Sequence, residues 1–406
     1  MSSPDSPVAA GHANVRRQLS VALLAVSAFV IVTTEFLIVG LLPALAHDLG
    51  LGIARAGQLV TLFAFTVMLA GPPLTALLAH VDRRRLFVAI LLLFAGSNAL
   101  AAMSTQPWLL ALARVLPAQA LPGFWGTASE TAALLAPAEQ GGRAVARVYL
   151  GITAAMLFGI PLGTLAADAI GWRGSFWLLA ALSLLMAAAL ALWMPDTVAG
   201  PRRALREQAR VLRQPWLQGN VLLPVLVFTA MFAAYTYLAD VLERLLWVPA
   251  AQVGWWLMGF GAVGLIGNAL GGRWVDRAPL GATLAFCGVL ALGVLGSVGL
   301  AGQGAFALIA LAVWGVAHTA LFPLCQVRVM RAAPQAQALA GTLNVSAANA
   351  GIGLGALLGG GAIERFGLAS LGAVGAAVAL LAIAAGLLLR WLARSRASTH
   401  GVDLPH

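Results

Sequence analysis

Apolar residues in this chain fall in long blocks, not in the spacing of a half-buried helix or strand. Twelve blocks approach or exceed the roughly 20 residues that a helix needs to cross a bilayer core. They cover 20–45, 57–79, 86–103, 108–135, 144–167, 172–194, 216–239, 251–272, 279–301, 304–327, 338–362 and 368–391. Polar residues concentrate in the short connections between them. The pattern predicts an all-α polytopic membrane protein with twelve transmembrane helices. The first block is too long for the apolar part of a signal peptide, so Arg16-Arg17 reads as the flank of an uncleaved first span.

The only long polar connection, "PDTVAGPRRALREQARVLRQP", divides the blocks six and six. The expected organisation is therefore an N-terminal bundle over 1–195, a basic linker over 196–214 and a C-terminal bundle over 215–406. The "RRALREQARVL" part of the linker has the pattern of a basic amphipathic helix lying on the membrane surface. The two halves also repeat each other. "LLAHVDRRRLF" (77–87) follows the second span and "LGGRWVDRAPL" (270–280) follows the eighth. "GIPLG" (159–163) in span five pairs with "GIGLG" (351–355) in span eleven, and Pro137 and Pro334 each follow the fourth span of their half. Two pseudo-symmetric six-helix bundles are expected, with a solute site between them.

Composition sharpens this picture. The chain has 406 residues, 61% hydrophobic and 9% charged, against roughly 25% charged in soluble domains. The net charge of +10 comes entirely from arginine, because the chain has no lysine. A basic balance can indicate nucleic acid, but these arginines sit in short inter-span connections, where they act as topology signals. With a cytoplasmic N-terminus, nineteen of them fall inside and only Arg55, Arg173, Arg244 and Arg365 outside; Arg114 lies within a span. Both termini are expected in the cytoplasm. Cys287 and Cys325 lie in apolar blocks and read as small packing residues. No cofactor, metal or nucleic acid is expected. A phosphate-binding loop ending in Lys-Ser/Thr is impossible without lysine, so no ATP-driven pump resides in this chain. No catalytic constellation marks an enzyme.

On the quoted repeats, the chain resembles the major facilitator superfamily over essentially its whole length. The superfamily's Gly-x-x-x-Asp-Arg loop is matched by Gly272, Asp276 and Arg277, whereas Leu78 replaces the glycine of the first-half copy. Within the superfamily, "TTEFLIVGLLPALAHDLG", "AHVDRRRLF", "ARVLPAQALPGFWGTAS", "GIPLGTLAADAIGWRGSFW" and "GNALGGRWVDR" resemble the drug:proton antiporter group of bacterial sugar-efflux, arabinose-efflux-like and purine-ribonucleoside-efflux transporters. The helix-packing motif Gly159, Pro161, Gly163 departs from the group's fuller Gly-Pro-x-x-Gly-Gly. The resemblance implies proton-coupled export from the bacterial inner membrane by alternating access. A monomer working with protons, a small solute and the bilayer is expected.

The scarce polar groups inside the blocks are the site candidates. Glu35 is the only ionisable residue of the first block. A carboxylate facing lipid costs at least a few kcal/mol. Glu35 therefore either faces a central cavity and carries a proton, or stays protonated and bonded between helices. By axial rise it sits roughly 16 Å below the outer end of span one, and Arg114 roughly 9 Å below that of span four. The resemblance implies that Arg114 takes part in proton coupling; the alternative is an arginine that only anchors its helix end. Trp125 shares a helical face with Arg114, Ala118 and Leu121, and either lines a cavity or packs on a neighbour. Gln119 points away from that face, near the break that Pro117 and Pro122 permit. Tyr235, Tyr237, His318, Asn344 and Asn349 can each bond a polar solute or tie helices together.

Gating candidates are Asp82, Arg83, Arg84, Glu130, Asp276 and Arg277. Asp82–Arg83 and Asp276–Arg277 are read as charge-paired latches at the cytoplasmic face. Glu130 is read either as a latch partner of Arg83 or Arg84, or as a solvated charge at a helix end. The expected substrate is a sugar or related polyhydroxylated compound, with nucleosides and amphiphilic drugs as the alternative. Uptake by symport and a non-transporting membrane sensor or scaffold remain as rivals.

Overall fold

The structure, a computed structural model, describes residues 7–78, 81–137, 140–196, 214–275 and 277–400. Among these residues there is no strand. The helices are α1 (Pro7–Asp48), α2 (Ile53–Leu78), α3 (Arg83–Met103), α4 (Pro107–Leu135), α5 (Gly141–Ala154), α6 (Ile160–Trp193), α7 (Pro215–Tyr235), α8 (Leu238–Arg244), α9 (Ala250–Val275), α10 (Pro279–Gly299), α11 (Ala305–Ala332), α12 (Gln337–Phe366) and α13 (Ser370–His400). Helices satisfy every backbone group internally, as a segment in hydrocarbon must. The amphipathic linker helix expected from the sequence lies outside the described residues.

Ten described stretches are long and apolar enough to cross a membrane. One of them runs 51 residues, Arg143–Trp193. At about 1.5 Å per residue it would reach about 75 Å, more than twice the bilayer core. It is in fact two crossings, because Gly171 breaks α6 at φ +77°, ψ 158°. α4 is not among the ten. Counting α4 and splitting the long stretch accommodates the twelve spans read from the sequence.

Local chemistry sets the helix ends. Pro107, Pro215 and Pro279 open α4, α7 and α10, where a missing N–H costs nothing. Asp82 caps α3 by accepting the Arg85 N–H at 2.9 Å. The turn Ala155–Gly159 between α5 and α6 is a π-helix, just before Pro161. A proline cannot donate to the preceding turn, and the wider turn accommodates it.

By packing, the chain divides into two compact units. One is Met1–Leu37 with Pro73–Arg203, and the other Ile38–Pro72 with Ala204–His406. Both are built on glycines that let helices approach closely. In the first, Gly151, Gly159 and Gly163 pack on Ala25, Thr33 and Leu37 of α1. In the second, Gly351, Gly355 and Gly359 pack on Val225, Thr229 and Ala233 of α7. A Cβ at Gly355 would stand 2.7 Å from the Thr229 carbonyl oxygen and 2.9 Å from the Ala233 nitrogen.

The backbone corrects the register of the internal repeat. The sequence paired "GIPLG" with "GIGLG", which sets Gly159 opposite Gly351. The positive-φ breaks at Gly171 and Gly367 pair Gly159 with Gly355, each twelve residues before its break. One spacing of 196 residues then relates 33 to 229, 159 to 355, 163 to 359 and 171 to 367. Gly171 and Gly367 both have positive φ, at +77° and +81°.

Candidate functional site

Glu35 lies in the most continuously buried part of α1, with Thr33, Thr34, Phe36 and Leu37 at 0–6% exposure. Glu35 itself keeps 9%. Arg114 reaches it from α4 and is 2% exposed. Its Nη1 donates to the Thr34 carbonyl at 2.7 Å, and its Nη2 to the Glu35 carbonyl at 2.6 Å. A carbonyl has a second lone pair after its helical bond, so α1 accepts both without breaking its ladder. Asn98 of α3 donates to Thr34 Oγ1 at 3.2 Å. Three helices thus meet at Thr34–Glu35, and a cation and an acid share a buried, low-dielectric site.

This meeting of Glu35 and Arg114 is what the sequence anticipated, with one difference. The arginine grips the main chain of α1, so it holds the helix in position independently of the carboxyl's protonation. The other first-unit candidates lie apart. Gln119 is exposed, and its only described bond is a long one of 3.5 Å to Val115 of its own helix. Trp125 is half-buried and stacks on Tyr149 of α5 at 5.9 Å and on Phe124 at 5.2 Å, so it packs on a neighbouring helix. Gly159, Pro161 and Gly163 sit at the α1 seam as described above.

Among the gating candidates, Arg83 pairs with Glu130 at 3.2 Å; Arg83 is buried and the Glu130 side chain half-exposed. Arg84 pairs with Asp196 at 3.2 Å and bonds the Ala191 carbonyl. Asp82 caps α3 through Oδ1. Arg277 is exposed, and Asp276 lies outside the described residues.

In the second unit, His318 is 3% exposed inside a cluster of rings. Tyr235 lies 4.3 Å away, Phe232 5.5 Å, Phe260 5.8 Å and Phe322 5.9 Å. Neither ring nitrogen of His318 has a hydrogen-bond partner among the described residues, nor has Trp314 Nε1 one turn earlier on α11. Tyr237 behaves differently. The chain breaks between α7 and α8 at Thr236–Tyr237, within a wholly buried run over 227–242. There the Tyr237 hydroxyl donates to the Ala356 carbonyl at 2.7 Å, and its ring fills the space left by Gly57, Gly359 and Gly360. Thr61 of α2 donates to the Gly353 carbonyl at 3.1 Å, and Phe65 covers that glycine. Tyr237 is therefore a helix tie between α2 and α12. Asn344 donates to Gln326 Oε1 at 2.6 Å, and Asn349 to Val345 of its own helix at 3.0 Å.

Two buried charged groups escaped the sequence reading. Arg328 of α11, counted there as a connection arginine, is 4% exposed. It bonds Asn220 twice, at 2.9 Å to Oδ1 and 3.1 Å to the carbonyl. The signal was its place on the face of Leu321, Leu324 and Cys325. Asp240 of α8 is 3% exposed and pairs with Arg244 at 3.5 Å, an i,i+4 spacing readable from the sequence.

Relatives agree with this architecture. The chain is 36% identical to the inner membrane transport protein YdhP of Escherichia coli (strain K12) over 361 residues, covering 89% of this chain and 93% of that protein. It is 31% identical to a probable sugar efflux transporter of Mannheimia succiniciproducens over 366 residues, 89% of this chain and 91% of that one. Its fold matches a crystal structure of a bacterial homologue of the human lysosomal transporter Spinster with a TM-score of 0.76, at 18% identity over 92% of this chain and 97% of that one. The family model of the Major Facilitator Superfamily matches residues 24–340. With that match, the apolar crossings and the internal repeat, this multi-pass membrane protein belongs to the Major Facilitator Superfamily.

Proposed function

We propose that this protein is a proton-coupled secondary exporter of the bacterial inner membrane, and that its substrate is a sugar or a related polyhydroxylated compound. The observation that carries the coupling is the buried Glu35 carboxyl beside Arg114. Burial disfavours the charged acid and a neighbouring cation favours it, so the balance tips with the surroundings. As access alternates, Glu35 takes a proton from one side and yields it to the other. Arg114 fixes α1 and supplies the charge that competes with that proton. The relatives named as sugar efflux transporters support the direction and the substrate class.

Alternating access needs contacts that can part. We assign that role to the half-exposed Arg83–Glu130 pair and to the α2–α12 seam around Tyr237 and Gly353. Tyr235 and His318 are the polar groups best placed to meet a solute hydroxyl. The aromatic cluster around them supports a second reading, a nucleoside or an amphiphilic drug, since flat apolar groups stack on such rings.

The test is uptake of radiolabelled solutes into everted membrane vesicles under an imposed inward-acid gradient. A panel of sugars, nucleosides and cationic drugs is presented in turn. Accumulation of a sugar that a protonophore abolishes is the expected result. Accumulation of only nucleosides or drugs replaces the substrate assignment. Gradient-independent flux contradicts the coupling, and no flux of any compound favours a sensor.

A further inference from the structure

A groove of about 520 Å³ opens where the start of α1 meets the end of α6, lined by Val15, Arg16, Leu19, Leu192 and Trp193. Four of the five are apolar. Val15 and Leu192 are each 64% exposed and Trp193 is 44% exposed. The fifth is a cation. Arg16 donates from Nη2 to the Leu192 carbonyl at 3.2 Å, and Arg84 bonds the Ala191 carbonyl of the same helix end. The final carbonyls of a helix lack intrahelical donors and carry its negative dipole end, so two arginines gather there. Asp196 pairs with Arg84 at 3.2 Å. The end of α6 is therefore a positive rim above an apolar trough, with an indole at the boundary.

We propose that this groove holds an anionic phospholipid. Its phosphate would lie against Arg16, and one acyl chain along Leu19 and Leu192. Charge complementarity selects the occupant. A basic pocket at the headgroup level of a spanning bundle attracts anionic lipid. Tryptophan favours the same depth. The site is independent of Glu35 and of the solute, so its occupancy stands or falls apart from the transport reading.

The experiment uses the purified full-length protein in detergent. Its melting midpoint is followed with added phosphatidylglycerol, with phosphatidylcholine of the same acyl chains, and with glycerol phosphate alone. Native mass spectrometry counts retained lipids. Phosphatidylglycerol is expected to raise the midpoint by about 3 °C or more and to be retained, with little effect of the other two. Arg16→Gln is expected to lose most of that shift. Leu19→Trp, which fills the trough and leaves Arg16 in place, is expected to lose it too. Equal stabilisation by phosphatidylcholine overturns the proposal. So does an Arg16→Gln protein whose midpoint falls by the same amount with and without lipid, because a helix cap alone would do that. A response to glycerol phosphate equal to that of the lipid reassigns the site to soluble anions and also overturns it.

Discussion

Glu35 was legible as a site because it is the one acid in a long apolar block. Its partner was legible because Arg114 lies well inside a span, where a charge is costly. What the sequence could not show is how Arg114 binds, since two main-chain carbonyls of α1 leave no trace in residue identity. That grip gives a specific expectation. Arg114→Lys keeps the charge but loses the two-pronged hold, and is expected to lower gradient-driven flux at least tenfold and stability by about 1–2 kcal/mol. Activity and melting midpoint, measured together, check it; unchanged values contradict the role. At Asp82 the Asp-Arg string drew attention to a latch, and it gave no sign that the carboxylate also caps α3. Asp82→Ala is expected to cost about 1 kcal/mol in thermal unfolding, and Asp82→Asn, which can still cap, only a few tenths. A latch would make both variants equally defective in transport at unchanged stability.

Helices and their boundaries were mostly readable, because apolar length and prolines at helix starts determine them. Packing partners were less so. Trp125 and Tyr237 were left open between solute contact and helix packing, because nothing in a linear pattern says which helix a face will meet. Tyr237 needs Gly57, far away in sequence, to make room for its ring. The glycine seams carry the elements' clearest prediction. Gly355→Val is expected to force α12 off α7 and lower stability by about 1–3 kcal/mol. Gly272→Ala, with open space around its Cβ position, is the matched control and is expected to change little. At Gly171 the strain comes from the backbone. Gly171→Ala must hold φ +77° and is expected to cost about 1–3 kcal/mol in unfolding. If Gly171→Ala melts like the parent, α6 has not kept its break there.

For the whole molecule, the duplication could be read from the sequence, though its register could not. "GIPLG" and "GIGLG" align by eye one helical turn away from the pairing that the backbone selects. A Gly-rich helix offers several similar alignments, and the matching breaks at Gly171 and Gly367 decide among them. The six-plus-six repeat and the packing units are also different partitions, since residues 38–72 pack with the second unit. In the exporter reading, contacts of that kind must part and re-form while the glycine seams inside each repeat stay closed.

The most direct measurement compares two activities of one variant, Glu35→Gln, in everted vesicles. One is accumulation of the transported solute against its own gradient, driven by a pH difference. The other is exchange of labelled for unlabelled solute with no pH difference. The account predicts that Glu35→Gln loses at least nine-tenths of the first, about tenfold or more, while solute exchange persists. Gradient-driven accumulation at the parent level in Glu35→Gln would contradict it.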